Sequence, residues 1–133
     1  MKFFFDNCIS HKLAKAIHAL VEPEHTVSHL RDHWHQADRQ SVSDKEWITN
    51  LGREGGWVVV SGDIRIRSRP AERDALRAAR LTTFFLADGF ATMDKWEQVR
   101  WEIDKWPEIV DLAARVATGS TFRVPKRGKI ETV

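Results

Sequence analysis

The sequence predicts an α/β fold, a three-layer α/β/α sandwich built around a mostly parallel sheet of four to five strands. Three observations carry this. Short apolar runs rich in β-branched or aromatic residues alternate with amphipathic helical stretches. Gly, Pro or Ser marks most junctions. Three of the runs, Phe3-Phe4-Phe5, Trp57-Val58-Val59-Val60 and residues 82–87, stop at an aspartate: Asp6, Asp63 and Asp88.

Taken in order, Phe3-Phe4-Phe5 is apolar at every position, the pattern of a strand covered on both faces. Ser10 then precedes Leu13, Ile17 and Leu20 at helical spacing, so a capped helix follows. Glu22-Pro23-Glu24 ends it, and Thr26-Val27-Ser28-His29-Leu30 suits a short edge strand leading into a polar loop to about Val42. Ser43-Asp44-Lys45-Glu46 opens the next helix, Trp47, Ile48 and Leu51 supply its apolar face, and Gly55-Gly56 closes it. Trp57 to Val60 makes a central strand terminated by Ser61-Gly62-Asp63. Pro70 stands near the start of a helix to Arg80, and the strand over 82–87 comes next. From Thr92 as N-cap, Trp96, Val99, Ile103 and Trp106 mark one face of a long helix, which Pro107 is expected to kink or restart. Phe122-Arg123-Val124 suits a last short strand.

A chain of 133 residues with 42% apolar content is long enough for one core, and no repeat, low-complexity tract or linker divides it. A single domain over residues 1–133 is expected, with a flexible basic tail from about residue 123. The single cysteine, Cys8, excludes an internal disulfide framework and a multi-cysteine zinc site, and it suits a reducing cytoplasm. The first apolar run is far too short for a signal segment or membrane span, so a cytoplasmic protein without membrane contact is expected.

Net charge is only +2, which by itself argues for no polyanionic partner. The distribution is more informative. Residues 64–80 carry six arginines against Glu72 and Asp74, beginning directly beside Asp63. The segment from Arg115 onward holds five further cations against Glu131. A solvated helix face explains the first run, and phosphate binding by Arg65 and Arg67 is the alternative.

In a parallel sheet the carboxyl ends of the strands share one edge, where such folds bind ligands. Asp6, Asp63 and Asp88 fall on it. Carboxylates gathered there repel one another and call for a cation, and hard oxygen ligands select Mg²⁺ or Mn²⁺. Glu46 would supply a fourth oxygen ligand, or would serve as the reciprocal arm of a capping box with Ser43. For each aspartate taken singly, a turn or helix-cap role is the plainer reading.

Other residues invite blander readings. His29-x-x-x-His33 would bind a transition metal only on a helix, and with His25 and His35 it is read as part of a histidine-rich loop. Trp96 and Trp106 fit the apolar face of the late helix better than Trp101 or Trp34, so core or dimer contacts are favoured over base stacking. Cys8 has no evident adjacent base and is read as a small hydrophobe.

Phe5-Asp6-Asn7 before the Ser10 helix, Ser43-Asp44-Lys45-Glu46-Trp47-Ile48, and Gly55-Gly56-Trp57-Val58-Val59-Val60-Ser61-Gly62-Asp63 together resemble the PIN (PilT N-terminal) superfamily. The likeness is to its small VapC-type toxin branch in particular, and it covers roughly the first 90 residues in order and spacing. It implies a metal-dependent endoribonuclease that is the toxin of a toxin–antitoxin pair, with RNA as substrate, a protein antitoxin as partner and a homodimer as assembly. It also implies that Asp6, Glu46 and Asp63 hold Mg²⁺ or Mn²⁺, with Asp88 as fourth acid and Asp94 as its alternative. Ser61 matches the family's Ser/Thr before the third acid; with Asn7, Arg65 and Arg67 it is assigned to the substrate phosphate. One departure stands out. Where the family often reads Asp-x-Asp-Phe, this chain reads Asp63-Ile64-Arg65-Ile66, which leaves one or two metals open. Arg65 also favours the competing reading, a non-catalytic PIN-like module that binds RNA or protein.

Overall fold

Phe3, Phe4 and Phe5 are fully buried in β1 (Lys2–Phe5), as a strand covered on both faces requires. The computed structural model describes residues 1–33, 43–63, 65 and 68–133. After β1 come α1 (His11–Val21), β2 (Thr26–His29), a short helix α2 (Leu30–His33), α3 (Asp44–Glu54) and β3 (Trp57–Ser61). Then follow α4 (Pro70–Ala78), β4 (Thr82–Leu86), a 3-10 turn (Phe90–Thr92), α5 (Lys95–Arg115), β5 (Thr121–Val124) and β6 (Glu131–Thr132).

Among the described residues the sheet has six strands in the order β2-β1-β3-β4-β5-β6, one more than the sequence pattern suggests. Its first five are parallel to their neighbours, and the two-residue β6 pairs antiparallel with β5 at the edge. One core layer joins the sheet to α1 and α5 through Leu13, Ile17, Trp106 and Ile109. The other joins it to α3 and α4 through Trp47, Ile48, Leu51 and Leu76. Helices therefore cover both faces, giving the expected three layers. α3 and α4 approach closely because position 52 is glycine: a Cβ there would meet the Ala79 Cβ at 2.6 Å.

Three details differ from the sequence pattern. Leu30 begins α2 instead of ending β2, because the Asp32 carboxylate accepts the His29 N–H at 2.9 Å and turns the chain. Pro107 lies inside an unbroken α5. On that helix the buried indoles are Trp101 and Trp106, while Trp96 is 63% exposed. Trp34, His35 and the remainder of the expected polar loop lie outside the described residues, as does Arg67.

The chain order positions the site. From β1 the chain crosses by α1 to β2 on one side, then returns by way of α3 to β3 on the other side of β1. The strand order reverses between β1 and β3, and the crevice beyond their carboxyl ends is the switch point where open α/β sheets bind ligands.

Candidate acid site at the switch point

Phe5 pairs with Val60, so Asp6 lies opposite Ser61 at the end of the ladder. Asp6 is 3% exposed. Its Oδ1 accepts the Cys8 N–H at 3.1 Å and the Gly62 N–H at 3.2 Å, and its Oδ2 accepts the Ser61 hydroxyl. That same Ser61 Oγ accepts the Asp63 N–H at 3.1 Å, which ties the two acids together through one hydroxyl. Position 62 must be small: a Cβ there would meet the Cys8 Cβ at 3.0 Å.

Burial pushes Asp6 up from 3.8 to about 6, against the lowering effect of its hydrogen bonds from Ser61, Gly62 and Cys8; the Asp63 charge adds to the rise. Asp63 is buried too, and Arg65 covers its carboxylate, with Nε and the backbone N–H both on Oδ1 and Nη2 on Oδ2. The Asp63 hydrogen bond and charge raise Arg65 further above its ordinary value. Cys8 is exposed as a residue, but desolvation followed by the charges of Asp6 and Asp63 pushes its thiol up to about 12. Such a thiol is no nucleophile at neutral pH.

The other expected acids are placed apart from this pair. Glu46 is exposed, its backbone N–H bonded to the Ser43 hydroxyl at 3.2 Å, and it borders a surface depression with Lys45, Asn50 and Arg53. Asp88 is exposed beyond the end of β4. Among the described residues no hydrogen bond or ion pair joins Glu46 or Asp88 to Asp6 or Asp63. Asp94 is the N-cap of α5, its Oδ1 accepting the Trp96 N–H at 2.7 Å and the Glu97 N–H at 3.4 Å. Asn7 is an exposed turn residue.

One acid escaped the sequence reading. Asp44 opens α3 on the side that carries Trp47, Ile48 and Leu51, and its Oδ1 accepts the Trp47 indole N–H at 3.0 Å. Its charge reaches both Cys8 and Arg65, raising each. Glu46, two residues on, is turned about 200° around the helix from Asp44. The signal lay in the helical wheel, because the acid sharing the inward face is Asp44.

The histidines near β2 are structural. His29 is buried, its Nε2 lies 2.7 Å from the Ile9 carbonyl oxygen and its Nδ1 accepts the Arg31 N–H at 3.0 Å. That pattern fixes a neutral ring, and burial lowers its pKa. His11 Nε2 lies 3.1 Å from Asp32 Oδ1.

Among the described residues no group of three or more His, Cys, Asp and Glu is gathered for a metal. Asp6 and Asp63 nonetheless fit a hydrated divalent ion, since Mg²⁺ is held by one or two carboxylates while keeping several waters. The desolvation that lifts Asp6 is a cost that a cation would relieve.

Fold and acids together define the class: a parallel α/β protein with a buried carboxylate pair at its topological switch point. Within that class the chain belongs to the PIN-like domain family, whose model matches residues 1–88, from β1 through all three strand-end aspartates. PIN-like domains are generally nucleases. No curated protein matches the chain. No solved structure matches it either. Among the described residues no helix is long and apolar enough to cross a membrane.

Proposed function

We propose that the protein is a Mg²⁺- or Mn²⁺-dependent endoribonuclease, the toxin of a toxin–antitoxin pair, acting in the cytoplasm as one domain over residues 1–133. Its substrate is RNA, and its partners are a protein antitoxin and a second copy of the chain. The observation that carries the nuclease reading is the buried Asp6 carboxylate, joined through the Ser61 hydroxyl to Asp63 at the switch point.

When bound, the divalent ion supplies Lewis-acid activation of the phosphate and a more acidic water. Asp6 and Asp63 would hold it. Ser61 orients both inner carboxylates, donating to one and fixing the backbone of the other. The exposed Arg65 guanidinium, with Asn7 and Arg67, takes non-bridging phosphate oxygens as negative charge grows on them. Water adds to phosphorus, one P–O ester bond breaks, and the departing oxygen leaves protonated.

The test is cleavage of a labelled single-stranded RNA by the wild-type chain and by Asp6→Asn and Asp63→Asn. Cleavage with Mg²⁺ or Mn²⁺, lost on chelation and reduced at least about 100-fold in both variants, is the expected result. Equal rates in wild type and variants would falsify the assignment.

A second reading has its own observation. Arg65 occupies both oxygens of Asp63, as expected of a non-catalytic PIN-like module in which a cation of the chain replaces the metal. RNA binding without cleavage at any divalent-ion concentration would favour it.

A further inference from the structure

Trp96 is out of place as a core residue. Its indole is 63% exposed on the first turn of α5, whereas Trp101 and Trp106 of the same helix are buried. It faces α1 across a cleft of about 230 Å³ lined by Ser10, Lys12, Leu13, Ala16, Trp96 and Val99. That volume is below the usual range for a drug-sized ligand and suits one planar ring system.

The rim is cationic. Lys12 and Lys95 are exposed, both border the cleft, and among the described residues neither is ion-paired. Lys95 Nζ lies 5.4 Å from the Trp96 ring centroid, within cation–π range. The neighbouring Asp94 carboxylate is committed to the backbone N–H groups of Trp96 and Glu97.

The cleft also opens on the right edge. Its α1 wall begins at Ser10, shortly after Asp6, and its α5 wall begins after the turn that leaves β4. Both helices therefore start at the carboxyl ends of the strands, where Asp6 and Asp63 lie. An exposed indole flanked by unpaired lysines is how proteins hold single-stranded nucleic acid, by stacking on any base and neutralising the phosphates beside it.

We infer that this cleft is a base-stacking subsite for single-stranded RNA, with one base on the Trp96 indole and the flanking phosphates on Lys12 and Lys95. The inference rests on the reading of the protein as a ribonuclease, whose substrate it places across the α1–α5 edge of the site.

The probe is a fluorescein-labelled single-stranded oligouridylate, bound to the full chain with chelator present and followed by anisotropy. Trp96→Ala is expected to weaken binding by about 5- to 100-fold, and Trp96→Phe to recover most of the loss. The double variant Lys12→Ala with Lys95→Ala is expected to flatten the slope of log K against log salt by about 1.4. No binding by wild type, or a Trp96→Ala effect below about twofold, overturns the subsite. So does a Trp96→Ala variant that keeps its RNA affinity but no longer dimerises, since the cleft is then a protein surface. If wild type binds through Trp96 yet leaves the RNA uncut with Mg²⁺ or Mn²⁺, the nuclease reading fails and the subsite stands.

Discussion

Arg65 grips Asp63 with Nε 3.0 Å from Oδ1 and Nη2 3.2 Å from Oδ2, while its backbone N–H donates to Oδ1 at 2.9 Å. The guanidinium side chain is 67% exposed and the carboxylate 8% exposed. A solvated cation thus sits on a buried anion.

Arg65→Ala therefore has two opposed consequences. Mn²⁺ affinity, measured by electron paramagnetic resonance of the free ion, should tighten by up to about fivefold, because the competing partner of Asp63 is gone. Binding of RNA by the chelated protein should weaken, because a phosphate contact is lost. Unchanged Mn²⁺ affinity would show that Arg65 and the metal do not compete for Asp63.

A divalent cation should protect the fold through Asp6. Burial holds this carboxyl at about 6, above its ordinary 3.8, so the folded state favours the protonated form. Its contribution to stability is full below about 3.8 and lost as pH rises through about 6. Above that pH a bound cation offsets the cost, by about 3 kcal/mol at a hundredfold excess over the dissociation constant. Mg²⁺ or Mn²⁺ is thus expected to raise the melting temperature at pH 8 and much less at pH 5. In Asp6→Asn the rise should vanish, and the metal-free variant should melt above metal-free wild type at pH 8.

Ser61 couples the two acids, and its removal should be felt at both. Ser61→Ala leaves Asp6 Oδ2 without its hydroxyl donor and the Asp63 N–H without its acceptor. The cost expected from chemical denaturation is about 1–3 kcal/mol. Asp6 should then titrate above about 6, which the pH dependence of Mn²⁺ binding reads out. Ser61→Thr keeps the hydroxyl and should restore the wild-type midpoint.

The strands and the placement of Asp6 and Asp63 beyond two of them were legible because a strand covered on both faces is apolar along nearly its whole length. Phe5 and Val60 are the last pair of the β1–β3 ladder, and their register puts Asp6 beside Ser61. α3 was less legible: Glu46 matches a family spacing, but the inward face is set by Trp47, Ile48 and Leu51, which Asp44 shares. α5 misled because apolar residues surround it. Its partner is the chain near β5, where the Trp101 indole N–H finds the Pro125 carbonyl at 3.0 Å, and that contact across 24 residues has no local signature. The periodicity that assigned Trp96 to the core lacked this contact. The burial of Glu102 is hidden in the same way, since a lone glutamate on a helix ordinarily faces water.

Glu102 is 1% exposed, and neither of its carboxyl oxygens has a hydrogen-bond partner among the described residues. Burial pushes it from 4.5 up to about 8, so the fold holds it protonated at neutral pH. Relative to the unfolded chain its contribution is full below about 4.5, shrinks as pH rises and is lost through about 8. By that point the loss is on the order of 4 kcal/mol, a large part of a small domain's stability. Glu102→Leu removes the titrating group at similar volume. Urea denaturation of the two proteins should give nearly equal stability at pH 5 and a widening advantage for Glu102→Leu from pH 6 to pH 9. Asp6 is present in both proteins and cancels from the difference. Stabilities that run parallel from pH 5 to pH 9 would mean that water reaches Glu102 and that its burial costs the fold nothing.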